Sequence, residues 1–311
     1  MPFAAALSTA TSTAQALDEV CGSAGPQLPR SPDLALAFFS PHHAGQAEAI
    51  ARSLTDRLKP RCLLGCVGES IVGNDREIEQ LPAFSLWLAA FATPVELEPC
   101  HLVLEQTPDG PSLLGWPDGL LEADPAQAAL IVLGDPFTFP VDLLLHQANH
   151  EYQGLRVMGG MASGIRAPGQ CRLLHGDRVL NAGGVGVLLR GAAGLRTIVS
   201  QGCRPIGRHL VITGGKENII TELGGKTPLA QLQELWHTLP PGDQNLMQRA
   251  LHVGMVMNEY REDFRRGDFV VRNIYGLDQE SGALVIADRI RVGQTIQFHV
   301  RDAAAADEDL Q

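Results

Sequence analysis

Two apolar runs constrain this chain more than any other feature, because each is cut by a polar residue and a proline and each leads through an amphipathic stretch to a glycine-rich strand end. The first, Asp33 to Phe39 (DLALAFF), reads as a buried strand. Ser40-Pro41 ends it, since proline brings no N–H to a ladder and serine can cap a following helix. Ala44, Ala47, Ala51, Leu54 and Leu58 then fall at helical spacing, and Pro60 stops that helix before a strand from Arg61 to Val67. That strand enters the glycine-rich Gly65 to Gly73, and another apolar strand is expected from Ala83 to Phe91.

The same order returns. Ala129 to Gly134 reads as a strand broken by Asp135-Pro136, Pro140 to His150 as a helix opened by proline, and Leu155 to Met158 as a strand. Gly159 to Gly164 is a second glycine-rich end, and Gly184 to Leu189 corresponds to the 83–91 strand. Matching elements lie about 94 to 102 residues apart, the mark of an internal duplication. Any α/β chain alternates strands and helices; the shared prolines and glycine clusters favour duplication over that blander reading.

Near Thr221 the character changes. Gly224-Gly225-Lys226-Thr227-Pro228 opens a helix carrying Leu229, Leu232, Leu235, Trp236 and Leu239 on one face, ended by Pro240-Pro241-Gly242. Strand-like stretches follow at 252–257, 269–275, 283–287 and 295–300. The expected fold is α/β of mixed α+β character: duplicated strand-helix-strand units in a mixed sheet, then a second, β-richer domain. The expected boundaries are 1–30 for an N-terminal helix and linker, 31–222 for the first domain and 223–311 for the second. Met1 to Gly22 lacks the basic start of a signal peptide and reads as an amphipathic helix. Ser8, Thr9 or Ser12 would cap it, with Ala10, Ala14, Leu17 and Val20 or Cys21 as its stripe.

Charge and cysteine usage narrow the function. A net charge of -11 repels phosphate backbones, and the cluster Arg261, Arg265 and Arg266 is interleaved with acids, so nucleic acid is excluded as the expected partner. No apolar run approaches the roughly 20 residues that span a bilayer, so no membrane association is expected. The six cysteines are scattered through a chain long enough to build a core without staples, which points to reduced thiols in a cytoplasm.

Familiar catalytic patterns fail on inspection. Gly225-Lys226-Thr227 suggests a phosphate loop, but Ile220 stands where the loop's first glycine belongs. Gly184-Val185-Gly186 would open a dinucleotide fingerprint, but Leu189 replaces its third glycine. Cys62 and Cys66 share one strand face, and His42-His43 finds no second ligand cluster. Neither a cofactor nor a metal is therefore expected.

Ser200 to Gly207 (SQGCRPIG) is the most distinctive segment. Gly202 and Gly207 permit close backbone approach, Pro205 fixes a turn, and Arg204 sets a guanidinium beside a thiol. A tight turn whose arginine pairs with a surface acid accounts for it equally. Together with FFSPH (38–42), LGCVGESIVG (64–73), LGDPF (133–137), MGGMAS (158–163), GDFVVRNIYG (267–276) and QFHVRD (297–302), it resembles the FIST domain, N- and C-terminal parts in order. The resemblance implies a sensory, small-ligand module of signal transduction, found alone, beside bacterial signalling domains, or with F-box regions in eukaryotes. It implies amino acids as ligands, a signalling protein as partner, and no enzymatic activity. Members continue past the segment matching 297–302, so the C-terminal part is expected to be incomplete.

Two chemistries compete for the conspicuous residues. As a ligand site, Cys66, Gly68, Glu69, Ser70, Gly160, Ser163, Gln201, Gly202, Cys203 and Arg204 would gather at converging strand ends, where backbone N–H groups exposed by glycine hold a carboxylate. Arg204 would clamp that carboxylate and Glu69 would receive an ammonium group, unless Glu69 is merely an acid at a helix N-terminus. As a thiol hydrolase or transferase, Cys203 would be activated by Arg204 and by His299 or His42. A protein-interaction scaffold is the third reading.

Overall fold

A computed structural model describes residues 2–108, 110–191, 195–261, 263–265 and 267–310; Met1, Gln311 and Arg266 of the arginine cluster lie outside the described residues. The chain divides into two units, Met1–Thr197 and Ile198–Gln311.

In the first unit the apolar runs become paired strands. Its first half comprises β1 (Phe3–Ser8), α1 (Thr13–Ala24), β2 (Leu34–Phe39), α2 (Ala47–Leu58), β3 (Cys62–Val67), the hairpin β4 (Ser70–Gly73) and β5 (Arg76–Glu79), and β6 (Phe84–Ala89). The second half comprises β7 (Glu96–Thr107), β8 (Gly110–Leu114), β9 (Ala128–Gly134), α3 (Val141–Glu151), β10 (Arg156–Met161), the hairpin β11 (Leu173–His175) and β12 (Arg178–Leu180), and β13 (Gly184–Arg190).

The pairing pattern bears the duplication out. β1 runs antiparallel to β6, β6 antiparallel to β2, and β2 parallel to β3 through the α2 crossover. β7, β13, β9 and β10 repeat those relations in that order, with α3 as the crossover. The halves differ in their hairpins: β4–β5 forms a separate two-stranded sheet, whereas β11 pairs with β3 and extends the first half's sheet.

Alternation along β13 locates the core. Val185, Val187 and Leu189 share one apolar cluster with β2, β3 and the inner faces of α1 and α2, while Leu188 joins Leu130 and Val132 of β9 and Leu144 of α3. The two sheets therefore pack face to face with helices on their outer sides.

The N-terminal helix starts later than expected. Phe3–Ser8 is a strand, zipped to β6 from Phe3↔Ala89 to Ser8↔Phe84, and the helix begins at Thr13. The helical propensity of its alanines yields to sheet pairing and to burial of Ala4 and Ala6. Of the expected stripe, Leu17, Val20 and Cys21 are buried and Ala14 is exposed, and Ser12 makes no side-chain cap.

The second unit is a closed barrel, in the order β14 (Cys203–Lys216), β15 (Ile219–Leu223), β18 (Leu284–Ile286), β17 (Phe269–Leu277), β16 (Leu251–Val256) and β19 (Thr295–Arg301). Helices α4 (Pro228–Thr238), α5 (Pro241–Ala250) and α6 (Ala303–Leu310) complete it. Ile212, Ile220, Val253, Ile296, Phe298 and Val300 fill its interior. The barrel opens with β14 and β15, inside the stretch 31–222 expected for the first domain. One expectation changes here. Pro241-Gly242, read as a terminator, starts α5, since proline is tolerated in a helix's first turn.

Candidate functional site

The two parallel pairs of the first unit end alike. In the first, Gly68 N donates to Phe39 O at 2.9 Å; in the second, Ala162 N donates to Gly134 O at 2.8 Å. Ser40 N bonds Ala83 O while the Ala83 amide donates to Ser40 Oγ. Asp135 N likewise bonds Gly183 O, and the Gly183 amide donates to Thr138 Oγ1, whose hydroxyl donates to Asp135 Oδ2 at 2.6 Å.

These equivalent ends then meet. Ser163 N donates to Val67 O at 3.2 Å, and Ser163 Oγ accepts from Glu69 N at 2.9 Å. Gly164, at φ +73°, makes the approach possible, because a Cβ there would lie 2.7 Å from Pro41 Cγ and 3.1 Å from Glu69 Cα. Of the nominated residues, Gly68, Glu69 and Ser163 are thereby brought together, with Ser70 next in the chain; Cys66 is buried within β3, and Gly160 lies on β10 three residues before Ser163, lining a cavity with Val132 and Phe139. Glu69, Ser70, Gly160 and Ser163 are exposed, and the Glu69 carboxylate has no hydrogen-bond or ion-pair partner among the described residues. β4 rather than a helix follows Glu69, so no helix dipole explains its charge. Cys66 is buried, and burial pushes its thiol up to about 12, with Cys171 adding to the rise.

Asp135 is the residue at these strand ends that motif reading misses. It is fully buried, one carboxylate oxygen takes the Thr138 hydroxyl, and Oδ1 meets no hydrogen-bond donor at bonding geometry among the described residues, although the carboxylate lies near enough to the Cys171 thiol to help raise its pKa. The available signal is LGDPF, in which an acid ends a buried strand.

The other four nominated residues lie in the second unit and are occupied by the chain itself. Gln201 donates to Phe269 O at 2.6 Å and accepts from Val271 N at 2.7 Å, so its amide is committed to β17. Gly202 O receives Asp302 N at 3.0 Å. Cys203 through Ile206 pair with β19 as a strand, which corrects the reading of a tight turn. The Arg204 guanidinium binds Asp302 through Nε and Asp243 through its two terminal nitrogens, leaving the bidentate fork filled by internal carboxylates rather than free for a ligand.

The surroundings of Cys203 do not activate it. Burial pushes the thiol above its ordinary value, against a lowering by Arg301 rather than Arg204. His299 is buried, its Nδ1 sits 3.0 Å from Gln297 O, and burial lowers its pKa. Among the described residues no three His, Cys, Asp or Glu side chains gather as metal ligands, and no helix is long and apolar enough to cross a bilayer.

Comparison with known proteins gives two family domains in order, with a boundary that falls inside the barrel, after β15, rather than at the division between the two units. The FIST N domain matches residues 33–226 and the FIST C domain residues 230–311. The uncharacterized protein Rv0628c of Mycobacterium tuberculosis (strain ATCC 25618 / H37Rv) is 38% identical over 312 residues, covering 100% of this chain and 79% of that protein. The uncharacterized protein Mb0898c of Mycobacterium bovis (strain ATCC BAA-935 / AF2122/97) is 37% identical over 297 residues, covering 96% of this chain and 73% of its own length.

Proposed function

This chain belongs to the FIST family, and from that membership we propose that it is a small-ligand sensor of cytoplasmic signal transduction, binding rather than transforming its ligand. The observation that carries the reading is the pair of Ser163 hydrogen bonds joining the carboxyl ends of both parallel strand pairs. In open α/β sheets such ends are where ligands settle, because backbone N–H groups and loop side chains converge there. Glu69 offers an unpartnered carboxylate to a cationic group, and the half-buried backbone at Gly68 and the exposed backbone at Gly160 can approach a carboxylate. An amino acid carries both charges, and a signalling protein is the partner that reads its occupancy. The buried, unactivated Cys203 supports binding over thiol catalysis.

A thermal-shift screen of the chain against amino acids and other metabolites tests this, since a ligand at 100 times its dissociation constant adds roughly 2.7 kcal/mol. The expected hit raises the melting temperature of the wild type and loses most of that effect in Glu69→Gln. Flat melting curves across the panel, or an equal shift in Glu69→Gln, would reject the site.

A further inference from the structure

The barrel holds a second concavity, made where its wall is irregular. β14 pairs with β19 through Ile206↔Phe298 and resumes at Leu210↔Ile296, so Gly207, Arg208 and His209 bulge out opposite Gln297 alone. A bulge re-aims the side chains it carries. Gln297 Nε2 stabilises this one by donating to Gly207 O at 2.8 Å, and the His209 ring stacks on Phe269 at 5.9 Å. Gly207 has φ +67°, and a Cβ there would lie 2.5 Å from Leu235 Cδ1. Only glycine lets the bulge close down on α4 without displacing Leu235.

Opposite the bulge, α4 turns Gln231, Glu234, Leu235 and Thr238 to one face, at the i, i+3, i+4, i+7 spacing of a helix. Between them lies a cavity of about 340 Å³, the lower end of the range that holds small ligands. Leu210, Leu235 and Phe298 give it an apolar lining.

Its charges are unbalanced in a specific way. The Glu234 carboxylate is taken by Lys226, whose hydrogen bond holds it below its ordinary pKa, with Arg208 near enough to add to the effect. Arg208 is exposed and has no hydrogen-bond or ion-pair partner among the described residues, so one positive charge at the mouth remains uncompensated. Gln231 is buried with Nε2 committed to Leu223 O at 2.8 Å, which leaves Oε1 as its free acceptor. A planar guanidinium beside an apolar cavity matches a carboxylate whose remaining atoms are apolar.

We propose that this cavity is a second ligand site, independent of the strand-end site, that takes a small organic carboxylate with an apolar body. The carboxylate sits on Arg208 and the body on Leu210, Leu235 and Phe298.

Titration calorimetry of the whole chain with 3-phenylpropionate, hexanoate and the neutral 3-phenylpropanamide tests it. Expected are saturable binding of at least one acid, affinity at least tenfold weaker for the amide, and a loss of tenfold or more in Arg208→Gln. Leu235→Trp, which fills the cavity, should abolish binding, whereas Glu69→Gln should leave it unchanged. Arg208 is exposed, so its variant is expected to fold; an unaltered melting temperature checks this. Absence of saturable binding by both acids, equal affinity for acid and amide, or an Arg208→Gln protein that binds as the wild type does would overturn the proposal. So would loss of binding in Glu69→Gln, which would assign the acid to the first unit.

Discussion

Glu69 donates its backbone N–H to the side chain of Ser163, 94 residues further along the chain, at 2.9 Å. Glu69 is the second residue past the end of β3, and Ser163 is the second past the end of β10. The contact therefore joins equivalent positions of the two halves. A molecule bound there touches both copies of the repeated unit, so its binding energy acts on the seam between them.

The seam should depend on the Ser163 hydroxyl. Ser163→Ala removes the acceptor from the Glu69 amide, and the expected loss is about 1 kcal/mol or less because water can reach an exposed amide. Urea denaturation measures it. A wild-type midpoint combined with wild-type ligand shifts would show that the bond does not organise the site.

Two nearby glycines should answer differently to alanine. Gly164→Ala places a Cβ against Pro41 and Glu69 at a left-handed φ, and a loss of about 2 kcal/mol or more is expected. Nothing lies within 4 Å of a Cβ at Gly160, so Gly160→Ala should be nearly neutral. Equal melting temperatures for the two variants would contradict the close approach at Gly164.

The repeated unit is legible in the sequence because β2, β3, β9 and β13 are buried strands and read as unbroken apolar runs bounded by proline and glycine. β1 hides because FAAALS is rich in a strong helix former. β7 hides because Glu96 and Glu98 fall on the same face as the buried Cys100 and Leu102, with Glu105 on the other, so no clean alternation shows. β14 is disguised by Pro205, Gly207, Gly214 and Gly215, which mark turns in most contexts but serve bulges and register breaks here. Within the site, the cluster around Glu69 follows from its glycines. The fate of Arg204 does not, since its partners Asp243 and Asp302 are 39 and 98 residues away.

Stability should fall on the acid side. Burial holds the imidazoles of His43, His175 and His299 below the ordinary 6.5, aided respectively by His42, by His101 and Arg178, and by His252 and His209; at His299 a backbone bond to Gln297 opposes the shift. Between those lowered values and 6.5 the unfolded chain binds more protons than the folded one, so stability rises with pH through that window and is level above it. Each histidine contributes a slope of at most about 1.4 kcal/mol per pH unit. Burial alone would raise Asp33, but bonds from Arg30, the Phe91 amide and Arg61 hold it below 3.8, so its contribution is present above 3.8 and lost below. Urea midpoints should be level from pH 7 to 8 and lower at pH 5, with a shallower decline in His299→Gln. A midpoint unchanged between pH 7.5 and pH 5 would contradict this.

Cys203 should behave as a sequestered thiol. It is 4% exposed and its pKa is raised, so native protein should take up iodoacetamide at Cys203 far more slowly than an unfolded control at pH 7.5. Mass spectrometry of the labelled peptide reads the rate. Fast labelling below pH 8 would return Cys203 to the list of nucleophiles.

Arg204 should act as a latch for the C-terminal helix. Its side chain is 30% exposed and its carboxylate partners, Asp243 on α5 and Asp302 before α6, are 21% and 22% exposed, so solvent screens the pairs without removing them. Asp302 does two things at once. Its Oδ2 takes Arg204 Nε, while its Oδ1 accepts Ala304 N at 3.0 Å and so caps the first turn of α6. Arg204→Met removes the cation, leaves two partly buried acids facing each other, and frees the capping carboxylate to rotate. The expected cost is about 1 to 2 kcal/mol, below that of a fully buried pair. Because α6 rests on β14, amide exchange at residues 303–310 should accelerate more than exchange in β16 or β17. Asp302→Asn should keep much of the cap and lose the ion pair, so a double-mutant cycle with Arg204→Met separates the two roles. A coupling energy near zero, with unchanged exchange in α6, would show that the latch is only a surface pair.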